Sequence, residues 1–377
     1  MAKKTKQEVT EAQPTYPKMA DTRLEQLHFM LEDTKTDAMV VSYLPNIRYL
    51  TNFSGSAATL FISKDEIHFI SDDRYEEQIK TELFPLPNLK TYITRDPWKV
   101  AKDKGILKKI QTLAFESDRI NYSDAVNIRN RIRPIKFKPV NNLVERFTMP
   151  KSPEELESIQ KAADISVQVY EKILPMIKPG VTEKDIAIEI IYQTRKLGSE
   201  GDAFDIIVTS GPRGAIVHGK PTDKKIKSGD IVLMDFGCRV NGFCSDISRT
   251  VAVGKATKEQ KQLYKIINSA KDAAIQTVKP GMNGKTLDHS ARSIIEKEGF
   301  GKFFQHSLGH GIGLEDHEMP TITFRLDDQI IPEYSVLAIE PGVYLPDKYG
   351  MRIEDMVYIT RYGAKMLTKA PDELPVV

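Results

Sequence analysis

The segment MIKPGVTEKDIAIEIIYQTRKLG (176–198) recurs 101 residues later as TVKPGMNGKTLDHSARSIIEKEG (277–299). Lys-Pro-Gly stands at 178–180 and 279–281, and the closing glycines, Gly198 and Gly299, keep the same offset. A second pair follows in the same order. GDIVLMDFG (229–237) reaches a carboxylate, Asp235, two residues before a glycine, and YSVLAIEPG (334–342) does so at Glu340. Each is followed by a turn and an acid-bearing strand, SDISRTVAV (245–253) or RIEDMVYIT (352–360). Four matches in one order predict two similar halves packed about a pseudo-two-fold axis, with these strands facing each other.

Upstream of the duplication, Ser152-Pro153-Glu154-Glu155 is a helix start, with a serine cap and proline in the first turn. It opens a unit over 149–377. Before it, a lead over 1–20 carries two prolines and few apolar residues, and is expected to be flexible. Residues 21–148 read as a mixed α/β unit. RLEQLHFMLEDTK, the stretch near 74–84 and YSDAVNIRNRI suit helices. DAMVVSYL, ATLFISKD, EIHFISD, LKTYIT, TLAFES and IKFKPV suit strands, with PNIRYLTNFSGSA (45–57) as a break. The expected class is α+β.

With 377 residues, 40% of them hydrophobic, the chain has material for two cores. A net charge of +2 gives no case for nucleic acid or an anionic membrane as partner. No run approaches the length of a membrane span, and MAKKTK lacks the apolar stretch of a signal peptide, so the expected location is cytoplasmic. Cys238 and Cys244 flank a turn at Asn241-Gly242 and read as small buried residues rather than a disulfide or a zinc pair.

Asp235 directly follows an apolar strand, where an unpaired carboxylate is costly. The duplication brings Asp235 and Asp246 towards Glu340 and Glu354. Four converging carboxylates cannot all stay ionised without a cation, and a divalent metal is the natural counter-charge. Four exceed the need of one small ion, so two ions with bridging carboxylates fit better. The competing reading is four unrelated surface or hairpin acids, against which the apolar strands carrying three of them weigh. Of seven histidines, three lie in FFQHSLGHGIGLEDHEMP (303–320), as His306, His310 and His317. His310, between two glycines, could supply one nitrogen ligand, which suits manganese, cobalt, iron or zinc better than calcium. His218, in GAIVHGKP, stands opposite the proposed site. His306 reads as a core or supporting residue.

These motifs resemble the pita-bread dinuclear metallopeptidases, peptidase family M24, and within them the Xaa-Pro branch of aminopeptidase P and prolidase. The five-ligand pattern is complete: Asp235 in MDFG, Asp246 in CSDISRT, His310 in SLGHGIG, Glu340 in IEPG and Glu354 in RIED. The resemblance implies that Asp235 chelates one metal, that His310 and Glu340 hold the other, and that Asp246 and Glu354 bridge them. Mn2+ is the first expectation, with Co2+, Zn2+ or Fe2+ as alternatives. His218 and His317 match histidines that contact substrate and the tetrahedral intermediate. Arg352 matches an arginine orienting a metal-bound carboxylate, and Tyr344 a tyrosine near the site. The first unit resembles the creatinase-like N-terminal domain of the same enzymes through PNIRYLTNFSGSAATLFIS (45–63).

By the same resemblance the ions would lower the pKa of a water, Glu340 would be the general base, and His317 would stabilise charge on the carbonyl oxygen. Short proline-containing peptides are the expected substrates and a homodimer the expected assembly. NFSGSAAT (52–59) favours an Xaa-Pro aminopeptidase, with Xaa-Pro dipeptidase as the alternative. A catalytically inactive peptide- or protein-binding member is disfavoured because no ligand is missing. Methionine aminopeptidase is disfavoured by the two-unit layout, creatinase by the full ligand set, and a metal-dependent phosphatase by the lack of a basic phosphate cradle.

Overall fold

The structure, a computed structural model, describes residues 19–377. The lead expected over 1–20 lies outside the described residues as far as residue 18, and its last two residues belong to the helix Met19–Thr34. By its internal contacts the chain divides into two compact units between Leu143 and Val144.

The first unit runs α1 (Met19–Thr34), β1 (Ala38–Val41), α2 (Leu44–Thr51), β2 (Ala58–Ser63), β3 (Ile67–Ser71), α3 (Gln78–Glu82), β4 (Leu89–Ile93), α4 (Pro97–Asp103), β5 (Thr112–Glu116), α5 (Tyr122–Arg131) and β6 (Lys136–Val140). Its six strands form one mixed sheet in the order β4-β3-β2-β1-β5-β6. Two helical readings need correction. The break at 45–57 contains α2, which starts on Pro45 in its first turn and buries Ile47, Tyr49 and Leu50; Asn52, at φ 67°, ends it. The stretch at 74–84 is mostly not helix. Asp72 accepts from Arg74 N and also pairs with the Arg74 guanidinium, fixing a tight 3-10 turn at Asp73–Tyr75 and leaving only the short α3.

The second unit opens with α6 (Glu145–Thr148) and α7 (Pro153–Ile173), the latter closed by a Ser152/Glu155 capping box. There follow α8 (Glu183–Lys196), β7 (Gly201–Asp202), β8 (Ile207–Ser210), β9 (Ile231–Phe236), β10 (Cys238–Val240), β11 (Phe243–Cys244) and β12 (Ile247–Ala252). The second half carries α9 (Lys258–Thr277), α10 (Gly284–Lys297), β13 (Gly309–Gly311), β14 (Glu318–Ile322), β15 (Val336–Ile339), β16 (Gly342–Leu345), β17 (Tyr349–Arg352), β18 (Asp355–Thr360) and β19 (Gly363–Met366). Helix α6 packs on β14, so the contacts draw Val144–Thr148 into this unit, whereas the sequence reading began it at 149.

The duplication is explicit in hydrogen bonds. Gly180 N donates to Ile226 O (2.9 Å) and Gly281 N to Ile331 O (2.8 Å), so each Lys-Pro-Gly turn docks on the segment leading to its half's central strand. Strands β12-β9-β8 form one antiparallel sheet, and β14-β13-β15-β18-β19 its counterpart. Leu263, Ile267, Ala270 and Ala274 recur at helical spacing on α9 and pack with Leu287, Ala291 and Ile295 of α10 in one buried cluster. Each large aliphatic side chain so buried stabilises the fold by about 1.5–3 kcal/mol. The halves join where Glu354 N donates to Ser248 O (3.2 Å) and Thr250 Oγ1 to Arg352 O (2.9 Å). Cys238 and Cys244 are both free and buried. No helix among the described residues is long and apolar enough to cross a membrane.

Candidate metal centre

The joint between the halves places the acids. Asp235 sits at the end of β9, opposite Ser248 of β12, and Asp246 immediately precedes β12. Glu340 follows β15, and Glu354 immediately precedes β18. His310 is the middle residue of β13, where its glycine neighbours are required by the backbone alone. A Cβ on Gly309 would lie 1.9 Å from Ala338 O, and one on Gly311 2.2 Å from Met319 O. Next to Glu354, the fully buried Asp355 pairs with Arg249 and Lys271, which pins the start of β18.

Asp246, His310 and Glu354 each offer a ligand atom within 4.8 Å of the others. Glu340 Oε1 lies 3.9 Å from His310 Nε2, and Asp246 Oδ2 3.7 Å from the same nitrogen. Asp235 is tied to the group through Arg352, which donates to its Oδ2 and lies 3.7 Å from Glu340 Oε2. Three of the five expected ligands thus form one cluster, with Glu340 beside His310 and Asp235 joined through Arg352.

The donor set fits a cation. Among the described residues, Asp235 Oδ1, Asp246 Oδ1 and Glu354 Oε1 are buried without a hydrogen-bond partner. Each such atom carries a desolvation cost that a metal ion would remove. His310 Nδ1 donates to Gly311 O (3.0 Å), which leaves Nε2 as a lone pair facing carboxylate oxygens. Burial and the neighbouring His317 push the His310 pKa down to about 3, so the ring is neutral and its approach to Asp246 is not an ion pair. Lone pairs opposed in this way are held apart by repulsion unless a cation lies among them.

The carboxyls carry the matching strain. Burial and then the charge of Glu354 hold the pKa values of Asp246 and Glu340 well above the usual range, and burial with Asp235 raises Glu354 to about 7. A raised carboxyl pKa means that the folded chain binds more protons than the unfolded one between about pH 4.5 and 7. Stability of the metal-free protein is thus expected to fall as pH rises through that window. Thermal unfolding of chelated protein should show the midpoint dropping by at least about 2 °C from pH 5 to pH 7.5, and excess divalent cation should reverse the drop at pH 7.5. A midpoint that rises over this range would contradict the crowding of these acids.

Around the ligands, Arg352 is almost fully buried and organises one face. Its Nε donates to Ser248 Oγ (2.7 Å) and its Nη1 to Tyr344 Oη (2.5 Å). Burial works against its charge, but Tyr344, Asp235, Glu340 and Glu354 outweigh it and hold its pKa above the ordinary arginine value. Tyr344 Oη in turn reaches His306 Nε2 (3.0 Å), whose Nδ1 donates to Ser307 O (2.8 Å). Burial, with Arg352 next, lowers the His306 pKa to about 3, so this half-buried ring acts as an acceptor supporting Tyr344. The His317 ring lies 4.0 Å from that of His310, and its side chain is 69% exposed, open to an incoming molecule. Asp316 accepts from its Nδ1 (3.0 Å) and raises its pKa. His218 is exposed on a loop whose Val217 O accepts from Arg352 Nη1 (3.4 Å).

Ser248 and Asp316 were not singled out from the sequence. Strand alternation offered Ser248, two residues after Asp246 and on the same face, and Asp316 is the immediate neighbour of His317.

Comparison with known proteins bears on the same residues. Positions 157–361 match metallopeptidase family M24, and 23–149 match the creatinase/prolidase N-terminal domain. The chain belongs to metallopeptidase family M24. An Xaa-Pro dipeptidase from Bacillus anthracis is 36% identical, with a TM-score of 0.90 over 95% of this chain and 100% of that one. An X-Pro aminopeptidase from Thermotoga maritima is 37% identical, with a TM-score of 0.87 over 94% of this chain and 99% of that one. The Xaa-Pro dipeptidase of Pyrococcus furiosus is 35% identical over 93% of this chain and 99% of its own. The M24 chain is thus a metal-dependent Xaa-Pro peptidase, with a creatinase-like α/β unit followed in sequence by a pita-bread unit.

Proposed function

We propose that this M24 peptidase is an Xaa-Pro dipeptidase working with two divalent ions, manganese first among them. The observation that supports the reading is the Asp246, His310 and Glu354 cluster, with Glu340 and Asp235 beside it and three orphaned carboxylate oxygens, at the joint of the duplicated halves. Asp235 would hold one ion, His310 and Glu340 the other, and Asp246 and Glu354 both. Bound there, divalent ions supply a water of lowered pKa and polarise the scissile carbonyl.

This chain's residues do the rest. Glu340, with a side chain 17% exposed against 12% for Asp235 and 5% for Asp246, is the most open of these three carboxylates. In the loaded site it would accept a proton from attacking water and pass it to the leaving proline nitrogen. His317, kept proton-rich by Asp316, would donate to the oxygen of the tetrahedral intermediate. His218 would meet the substrate from the opposite loop, while Arg352, bonded to Tyr344, holds Asp235.

The dipeptidase reading replaces the preference for an aminopeptidase drawn from NFSGSAAT. That stretch has local duties: Asn52 Nδ2 donates to Glu82 O (2.9 Å) and Ser56 bonds Tyr75 Oη (2.5 Å), all within the first unit. The Bacillus anthracis and Pyrococcus furiosus relatives support the dipeptidase, while the Thermotoga maritima relative keeps the aminopeptidase as second reading. Incubation of the metal-loaded protein with Xaa-Pro dipeptides and Xaa-Pro-Yaa tripeptides should give cleavage of the dipeptides alone. Cleavage confined to tripeptides would reverse the assignment. We also infer a homodimer, on the family resemblance. Light scattering at several concentrations should give twice the chain mass, and a single-chain mass throughout would reject it.

A further inference from the structure

Glu183 sits in the first turn of α8 with 0% exposure, and sequence reading gave no reason to notice it. Its Oε1 accepts from Ser210 N (2.8 Å) and Ser210 Oγ (2.9 Å). Its Oε2 accepts from Thr222 N (3.1 Å), Thr222 Oγ1 (2.7 Å) and Arg213 Nε (3.1 Å). One carboxylate therefore binds both stems of the segment 210–222, and Arg213 provides the counter-charge from within it. Arg213 also spans the loop, since its Nη2 donates to Lys220 O (2.7 Å). His218 lies between these fixed points.

The loop's other flank rests on β17. A Cβ on Gly350 would fall 2.0 Å from Gly214 O, so the two backbones are in direct contact there. Val217 O takes its bond from Arg352, the arginine that also holds Asp235. The loop thus has one braced side at the metal centre and one clamped base at Glu183. An alternative, that Glu183 merely caps α8, fails on its partners. The cap of α8 is made by Thr182 and Asp185, and the side-chain bonds of Glu183 all go to the loop.

We propose that Glu183 is a positioning residue for catalysis, holding the His218 loop in register with the metal centre through its two stems. This rests on the reading of His218 as a substrate-contacting residue. With no free oxygen lone pair replaced by a donor, the carboxylate satisfies five donors; glutamine must turn an N–H2 towards one stem and release it. Misplacement of a catalytic side chain by about 1 Å costs up to roughly a hundredfold in rate.

The test is a double-mutant cycle on the metal-loaded enzyme, with Glu183→Gln, His218→Ala and their combination assayed on an Xaa-Pro dipeptide. Hydrogen exchange of 210–222 is followed alongside. Glu183→Gln is expected to lower kcat/KM by about tenfold or more, to speed exchange in 210–222 and to leave metal content unchanged. Combined with His218→Ala, it should lower activity no further than His218→Ala alone. Full additivity, or unchanged exchange in the loop, would overturn the proposal. Wild-type activity of His218→Ala would instead remove the reading of His218, and this inference with it. If Glu183→Gln does not fold, Thr222→Val removes one stem's hydroxyl donor and enters the same cycle with the same expected signs.

Discussion

Exhaustive chelation is expected to take hydrolysis of Xaa-Pro dipeptides to background, a loss of at least about a thousandfold, and added manganese or cobalt to restore it. The expectation comes from what the site is without a cation. Asp246, Glu340 and Glu354 crowd in a buried space where two of them have pKa values far above normal and the third is raised to about 7. Protons can relieve that crowding, but protonated acids cannot activate water. A divalent ion relieves it while keeping the carboxylates ionised. The single imidazole among oxygen ligands places manganese and cobalt ahead of calcium. Full turnover in protein verified to be metal-free would end the metal-centred account. Thermal unfolding supplies an independent readout, because a ligand that binds only the folded state raises its midpoint by mass action.

Much of this site could be read from the chain alone because duplication and spacing carry it. Lys-Pro-Gly and its later copy mark equivalent turns, and the acids sit at equivalent ends of equivalent strands. A repeat is a global signal, so it survives local ambiguity. What could not be read depends on contacts distant in sequence. Glu183 looks like any acid in a helix's first turn, where it would favour the dipole. Its partners lie 27, 30 and 39 residues away, and only folding brings them to one carboxylate. Helix α2 was lost for a different reason. At eight residues, with proline in its first turn, it has too few turns for a periodic signal and reads as a break. Where 74–84 reads as one helix, the chain instead forms a 3-10 turn capped by Asp72, which accepts from Arg74 N, and then the short α3.

Glu340→Gln is expected to lower kcat by at least about a hundredfold while the fold and the metal content survive. The substitution keeps the side chain's length and one carbonyl oxygen for a ligand position, but an amide cannot take a proton near neutral pH. The other three ligand carboxylates are less free to substitute. Asp235 is engaged by Arg352, and Asp246 and Glu354 are almost fully buried. The change should also separate base from ligand. A variant that binds metal but turns over slowly assigns proton transfer to Glu340, whereas one that loses metal reports only a missing ligand. The backbone N–H of Glu340, committed to Leu308 O (2.8 Å), is untouched by the change, whereas its side chain faces Arg352 (3.7 Å) and His310 (3.9 Å), so metal content has to be measured on the variant. A near-normal kcat in metal-loaded Glu340→Gln would show that the proton goes elsewhere. The pH profile then distinguishes the remaining candidates: a base at His317 would lose activity as pH falls through a raised histidine pKa, and that limb would persist in the variant. If Glu340 is the base, the residual activity of the variant should lack the limb that reports its protonation, leaving only the fall caused by protonation of the remaining metal ligands.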